Sequence, residues 1–138
     1  MICPVCKQAM MVVEHHQIEL DFCPKCKGVW FDADELELLL ASMELETPEF
    51  AIKNMLSLPE VERGRRKCPI CGRNMKEVAI GQPAINIDVC RRGNGLWFDG
   101  GELSALLEEL ADKPSVKTNH EQQILSFLGD VFQARRSN

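Results

Sequence analysis

The sequence predicts a small α+β fold built twice over, with two tandem β-hairpin-plus-helix modules, a helical linker between them and a C-terminal helix. Three observations predict it. The chain repeats itself, each repeat passes from period-2 to helical apolar spacing, and each carries cysteines in close pairs.

The repeat is plain on inspection. Cys3-Pro4-Val5-Cys6 recurs as Cys68-Pro69-Ile70-Cys71, and Gly28-Val29-Trp30-Phe31-Asp32 recurs as Gly95-Leu96-Trp97-Phe98-Asp99. Glu35-Leu36 and Leu39-Leu40 recur as Glu102-Leu103 and Leu106-Leu107. The offset is 65 residues at the start and 67 from Cys23 and Cys90 onward. The two added residues fall where a hairpin loop absorbs them. Both tryptophans take matching places, so duplication is the simple reading. It divides the chain into module 1 (1–46), a linker and basic hinge (47–66), module 2 (67–112) and a C-terminal amphipathic helix (113–138).

Within module 1, a strand over Met10–Val13 leads to a polar tip, Glu14–Gln17. A returning strand alternates Ile18, Leu20 and Phe22 with Glu19 and Asp21, the pattern of a half-buried strand. In module 2, Val78 and Ile80 lead into the turn signal Gly81-Gln82-Pro83, and Ile85, Ile87 and Val89 alternate with Asn86 and Asp88. A helix follows in each. Asp32 and Asp99 are placed to cap the free N–H groups of its first turn, with Glu35 and Glu102 reaching back. Leu36, Leu39, Leu40 and Met43 mark one helical face, matched by Leu103, Leu106, Leu107 and Leu110. In the linker, Thr47 caps and Pro48 starts a short helix over Phe50–Leu56, before Leu58-Pro59 and the basic run Arg63–Lys67. Glu121–Arg135 reads as a last helix with Ile124, Leu125, Leu128, Val131 and Phe132 on one side.

A module of roughly 40–45 residues buries too little apolar surface to hold itself without a staple. Seven cysteines could supply one, and the odd number leaves one over from any closed set of disulfides. Cys3 lies too near Met1 for a secretory leader, and no apolar run is long enough to cross a membrane, so a cytoplasmic chain with reduced thiols is expected. There, cysteine pairs read as metal ligands.

Cys3, Cys6, Cys23 and Cys26 form two Cys-x2-Cys pairs sixteen residues apart, the spacing of a zinc site. Zn²⁺ takes four thiolates at tetrahedral corners, and two such turns joined by a hairpin deliver them; a site closed in this way is structural. Disulfides, thiolate-bound iron or an iron–sulfur cluster, and a redox-active Cys-x2-Cys are the competing readings. In module 2, Cys68, Cys71 and Cys90 are present, but Gly93 stands where Cys26 stood. Asn94 is the nearest polar side chain to complete that site, with Asp99 or water as substitutes. A three-ligand zinc with an exchangeable position resembles a catalytic site, yet no His or Glu stands beside it as a general base. Loss of the second metal is the bland alternative.

Trp30-Phe31 could stack bases, but a small module needs such groups to cover its metal and seat its helix. His15 and His16 at the hairpin tip are expected to be solvated, and Met10, Met11 and Met75 to pack.

Together, CPVC and CPKCKGVWFDADELELL resemble the transcription-factor (TFIIB-type) zinc-finger family of zinc ribbons, over about residues 2–43 and 67–110. The resemblance implies rubredoxin-like knuckles, a ribbon hairpin capped by a helix, and bound Zn²⁺. Its ligands here would be Cys3, Cys6, Cys23 and Cys26, then Cys68, Cys71 and Cys90. In some second copies of related proteins, the resemblance implies, a histidine of a C-x3-H knuckle stands at the position of Asn94. The family's title implies nucleic-acid or transcription roles.

Charge divides the chain. Residues 1–46 carry a net −6 and residues 63–99 a net +5, within a total of −5. Module 1 is a poor match for phosphates, whereas Arg65, Arg66, Lys67, Arg73, Arg91 and Arg92 give module 2 a candidate nucleic-acid face. The same charges could equally face the acidic half, within the chain or in a homodimer. Three functions follow: an adaptor binding a protein partner through the leucine helices and last helix, a nucleic-acid-binding ribbon, and metal-dependent activity at the incomplete site. No catalytic constellation is visible, and the adaptor is favoured.

Overall fold

A computed structural model describes residues 1–15, 17–42, 50–61, 66–81 and 84–111, with side chains of 108–111 left aside. It contains β1 (Met11–His15), β2 (Ile18–Phe22), β3 (Val29–Asp32), α1 (Glu35–Ser42), α2 (Ile52–Leu56), β4 (Lys76–Ile80), β5 (Ile85–Val89), β6 (Gly95–Phe98) and α3 (Glu102–Ala111). The two alternating hairpins form as expected, with Val13 opposite Leu20 and Val78 opposite Ile87. Thr47, Pro48, Met43, Arg63, Arg65, Gln82, Pro83, His16 and the last helix (Glu121–Arg135) lie outside the described residues.

Spacing did not foretell β3 and β6. Val29-Trp30-Phe31 and Leu96-Trp97-Phe98 are buried on both faces, so neither alternates polar with apolar. Each strand pairs with its own hairpin, and the two then pair with each other, antiparallel. The six strands make one sheet in the order β1-β2-β3-β6-β5-β4, so the repeats share a backbone ladder. Val29 faces Phe98, Trp30 faces Trp97 and Phe31 faces Leu96. That register maps onto itself when the repeats are exchanged, so a pseudo-twofold axis passes through the Trp30–Trp97 pair.

Alternation along β3 and β6 divides the interior in two. On one face Val29, Phe31, Leu96 and Phe98 join Phe22, Ile87 and the helix leucines Leu36, Leu39, Leu40, Leu103, Leu106 and Leu107. Phe31 and Phe98 meet edge to face across the axis, with ring centroids 5.8 Å apart. On the other face, Trp30 and Trp97 pack with Met10, Met75 and buried cysteines. Burying an aromatic completely contributes roughly 3 kcal/mol, so the joint between repeats is apolar as well as hydrogen-bonded.

Several expectations are corrected by this arrangement. The helices start two residues later than the caps proposed: the carbonyls of Asp34 and Gly101 accept the first bonds from four residues on, while that of Asp99 takes only a tighter, three-residue bond from the Glu102 N–H at 3.0 Å. Asp32 and Asp99 instead accept from the indole N–H of Trp30 and Trp97, each at 2.9 Å. Glu102 does reach back, accepting the Asp99 N–H at 3.1 Å. Linker helix α2 starts at Ile52, not Phe50. Met11 is exposed, while His15 is buried, because it occupies a core-facing position of β1.

Candidate metal centre

Each knuckle is a turn that lifts its cysteines away from the sheet. In three of them the chain closes identically. The N–H of Lys7, Lys27 and Gly72 donates to the carbonyl of Cys3, Cys23 and Cys68, four residues earlier, at 3.0, 2.8 and 2.8 Å. The closing residue has φ of 64°, 68° and 76° respectively, a left-handed turn. The next bond out, from the Cys3, Cys23 and Cys68 N–H, goes to the carbonyl of Gln8, Gly28 and Arg73.

This geometry aims backbone N–H groups at sulfur. Those of Val5 and Cys6 donate to Cys3 Sγ at 3.3 and 3.2 Å, and that of Ile70 donates to Cys68 Sγ at 3.4 Å. Such bonds favour thiolate over thiol. Burial pushes the Cys23 thiol up, but N–H donors from Cys26 and Lys25 outweigh it and leave the group below its ordinary value. Cys26 is raised well above it, by burial first and by its sulfur neighbours next. Four crowded thiols cannot all ionise alone. A divalent cation at their centre removes that conflict.

Cys3, Cys6, Cys23 and Cys26 offer sulfurs all within 4.8 Å of one another, and Cys3 Sγ lies 3.7 Å from Cys26 Sγ. Four sulfurs about 2.3 Å from one ion stand about 3.8 Å apart, so the set fits tetrahedral zinc. All seven cysteines are free thiols, and 3.7 Å is far beyond a sulfur–sulfur bond, which removes the disulfide reading. Cys68, Cys71 and Cys90 form a second group on the same 4.8 Å criterion, with 3.7 Å between Cys71 and Cys90 Sγ.

The fourth knuckle is built differently. The Gly93 N–H donates to Cys90 only three residues back, at 2.9 Å, and the left-handed residue is Gly93 itself, with φ 78°. Module 2 has therefore lost more than a ligand, because the turn closes one residue early. Asn94 then brings its amide nitrogen to 3.4 Å from Cys90 Sγ. Asn94, the expected fourth ligand, thus stands beside the three-sulfur group with its amide donating to Cys90. Asp99 is engaged elsewhere, accepting from Trp97 and from Arg66 Nε at 3.4 Å.

Two features of this centre were not read from the sequence. A side chain at Gly28 would collide with the Trp97 ring, and one at Gly95 with the Trp30 ring. Each repeat's glycine is thus the seat of the other repeat's tryptophan, and the recurring Gly-x-Trp was its visible signal. Burial raises the carboxyls of Glu35 and Glu102 above their ordinary value, and the backbone of Glu19 and Asn86 in the hairpins partly offsets it.

The basic candidates are scattered in role. Arg66 pairs with Asp99, and Arg91 pairs with Glu60 at 2.8 Å. Lys76 donates to the Leu56 carbonyl at 2.7 Å. No hydrogen bond or ion pair to a described residue engages the side chains of Lys67, Arg73 or Arg92. Arg65 lies outside the described residues.

Comparison with known proteins agrees with the geometry. The profile of the family described as transcription factor zinc-finger, a TFIIB-type zinc ribbon, matches residues 2–42 and again residues 67–109. No curated protein and no solved structure matches the chain.

Proposed function

The chain belongs to the transcription factor zinc-finger family, and from that premise we propose that it works as a non-catalytic zinc-ribbon adaptor that docks a protein partner on module 1. One observation carries the reading. Met1, Ile2, Val5, Met11 and Val12 are exposed large apolar side chains around the first knuckle and the β1 edge, with Val12 65% and Ile2 52% accessible. Four of their five counterparts in module 2 are charged: Arg66, Lys67, Lys76 and Glu77. Duplicated surfaces that share a backbone and differ this way are suited to different tasks, and an excess of exposed apolar groups at one edge is a feature of interaction sites.

The β1 edge adds main-chain donors and acceptors to that patch. The β4 edge is met by the linker, where the Val61 N–H donates to the Glu77 carbonyl at 2.8 Å, so an extended segment already lies against one of the two edges. A partner strand adding to β1 would use the same chemistry. The fully thiolate first site supports a structural rather than catalytic zinc, and reduced thiols fit a cytoplasmic setting. No described helix is long and apolar enough to cross a membrane.

The nucleic-acid reading is weakened by the in-chain partners of Arg66, Lys76 and Arg91, which leave Lys67, Arg73 and Arg92 among the described residues to carry it. Crosslinking of full-length, zinc-loaded protein tests both. The adaptor reading requires a saturable protein partner that is lost in Ile2→Glu/Val12→Lys with zinc content unchanged. Binding of nucleic acid that weakens steeply with salt and with Arg73→Ala/Arg92→Ala replaces it.

A further inference from the structure

The ladder that joins the repeats does not stop at its strands. Val29 opposite Phe98 and Asp32 opposite Gly95 are its end pairs. Beyond each end, one repeat's chain runs along the other repeat's second knuckle. At one end the Ala33 N–H donates to the Asn94 carbonyl at 3.0 Å. At the other, Gly100 lies against Cys26 and Lys27. The tryptophans reinforce both contacts. Trp97 rests on Gly28, just past the Cys23–Cys26 knuckle, and Trp30 rests on Gly95, just past the Cys90–Asn94 one.

Ala33 and Gly100, which make these contacts, are counterparts in the repeat and differ. Gly100 has no left-handed φ, unlike its neighbour Gly101 at 88°, so backbone conformation does not call for a glycine there. Space does. A methyl group on Gly100 would overlap the Cys26 carbonyl oxygen and would stand 3.4 Å from Lys27 Cβ. Those atoms belong to the turn that carries Cys26 to the metal and closes through the Lys27 N–H. Packed backbone cannot swing aside as the end of a long side chain can, so the overlap would displace the knuckle itself. Ala33 carries that methyl group. It faces the knuckle that lacks a second cysteine and closes one residue early, and it stays exposed there. The fit is matched at both ends, with glycine against the four-residue turn and alanine against the three-residue one.

We infer that each repeat's second metal knuckle is shaped by the other repeat. Gly100 is the positioning residue for the Cys23–Cys26 turn, and Ala33 is the positioning residue for the Cys90–Asn94 turn. Under the pseudo-twofold, a four-residue turn at Cys90 would bring the carbonyl of Gly93 onto the Ala33 methyl group, as the Cys26 carbonyl meets Gly100. Ala33 therefore favours the tight form of the second knuckle. Module 2 makes room for the four-sulfur centre of module 1, and module 1 withholds that room from module 2. The inference concerns the metal centres alone and goes beyond the adaptor reading, on which it does not depend.

Zinc competition with a chelator on the full-length chain tests it, with Co²⁺ as the spectroscopic probe of each sulfur set. Gly100→Ala is expected to weaken zinc at the four-cysteine centre at least tenfold and to leave the metal content of the three-sulfur centre unchanged, although the substitution lies in module 2. No loss, or an equal loss at both centres, overturns the proposal, since a glycine needed only for folding would not single out one centre. The second arm adds room in place of removing it. Gly93→Cys/Ala33→Gly should hold zinc at the second centre at least fivefold more tightly than Gly93→Cys alone, and its Co²⁺ spectrum should move to that of a four-thiolate set. Equal affinity in the two variants also overturns the proposal, and this arm decides by itself should Gly100→Ala fail to fold.

Discussion

The knuckles that begin at Cys23 and at Cys90 occupy matching positions in a duplicated chain and are built differently. At Cys23 the turn closes over four residues, leaves Lys27 left-handed and puts Cys26 at the metal. At Cys90 it closes over three, leaves Gly93 left-handed and offers an amide donor. The difference teaches that the knuckle is a unit. Removing its second cysteine frees the backbone to take a tighter turn, and a neighbouring side chain then donates to the Cys90 sulfur. The module survives because its tryptophan, helix and sheet partner are unchanged.

The comparison predicts an unequal dependence on metal. Cys23→Ser should remove the first zinc and unfold the first hairpin, because structural zinc supplies on the order of 10 kcal/mol to so small a unit. Cys90→Ser should cost far less. Metal content together with circular dichroism checks this, and equal losses would mean that both sites carry the fold alike.

The joint between repeats comes next in size. Trp97→Ala should destabilise the chain by about 3–5 kcal/mol, as should Trp30→Ala. Gly28→Ala and Gly95→Ala should each mimic their tryptophan partner's loss, because the added methyl group takes the indole's seat. Denaturant midpoints read these effects. A tolerated Gly28→Ala would show that the rings do not interlock across the axis.

Restoring the ligand sharpens the contrast between knuckles. Gly93→Cys should raise zinc affinity at the second site at least tenfold. The left-handed conformation costs a non-glycine residue about 1–2 kcal/mol, well below what a fourth thiolate returns, so the turn should relax to the four-residue form. Competition with a chelator measures it, and unchanged affinity would show that the tighter turn is locked.

The smallest effect concerns the carboxylates beside the joint. Asp88, opposite Trp97 and only 4% exposed, is pushed up to about 7 by burial first and by Asp99 and Glu77 next. Asp21, its counterpart opposite Trp30, is raised in the same direction. A carboxyl whose folded pKa exceeds its unfolded value, near 4, stabilises the fold most when protonated. That contribution declines as pH rises from about 4 to 7. Asp88→Asn, which imitates the protonated form, should therefore gain about 2 kcal/mol over the parent above pH 7 and nothing near pH 4. The difference between the two proteins is the readout, since loss of zinc in acid affects both.

Much of this was legible before any fold was seen. The cysteine spacing, the alternation of Ile18–Phe22 and Ile85–Val89 and the leucine faces were visible because each obeys a rule of local geometry. His15 and Met11 were misread because period-2 alternation states which residues share a face, not where the strand meets cover. The early turn at Gly93 was hidden for a related reason. A glycine in place of a cysteine announces a missing ligand, but not how the relaxed backbone will close.

By itself the sequence determined the duplication, the two hairpins, the helices and the sulfur sets, since these depend on residues near one another along the chain. Only the tertiary structure decided that β3 and β6 pair, that each tryptophan rests on the other repeat's glycine and that Asn94 faces sulfur with its nitrogen. Those outcomes depend on which surfaces meet across some 67 residues of chain. Such meetings are selected by burying large apolar groups without collision, and the recurring Gly-x-Trp hints at a close approach without saying which surface makes it.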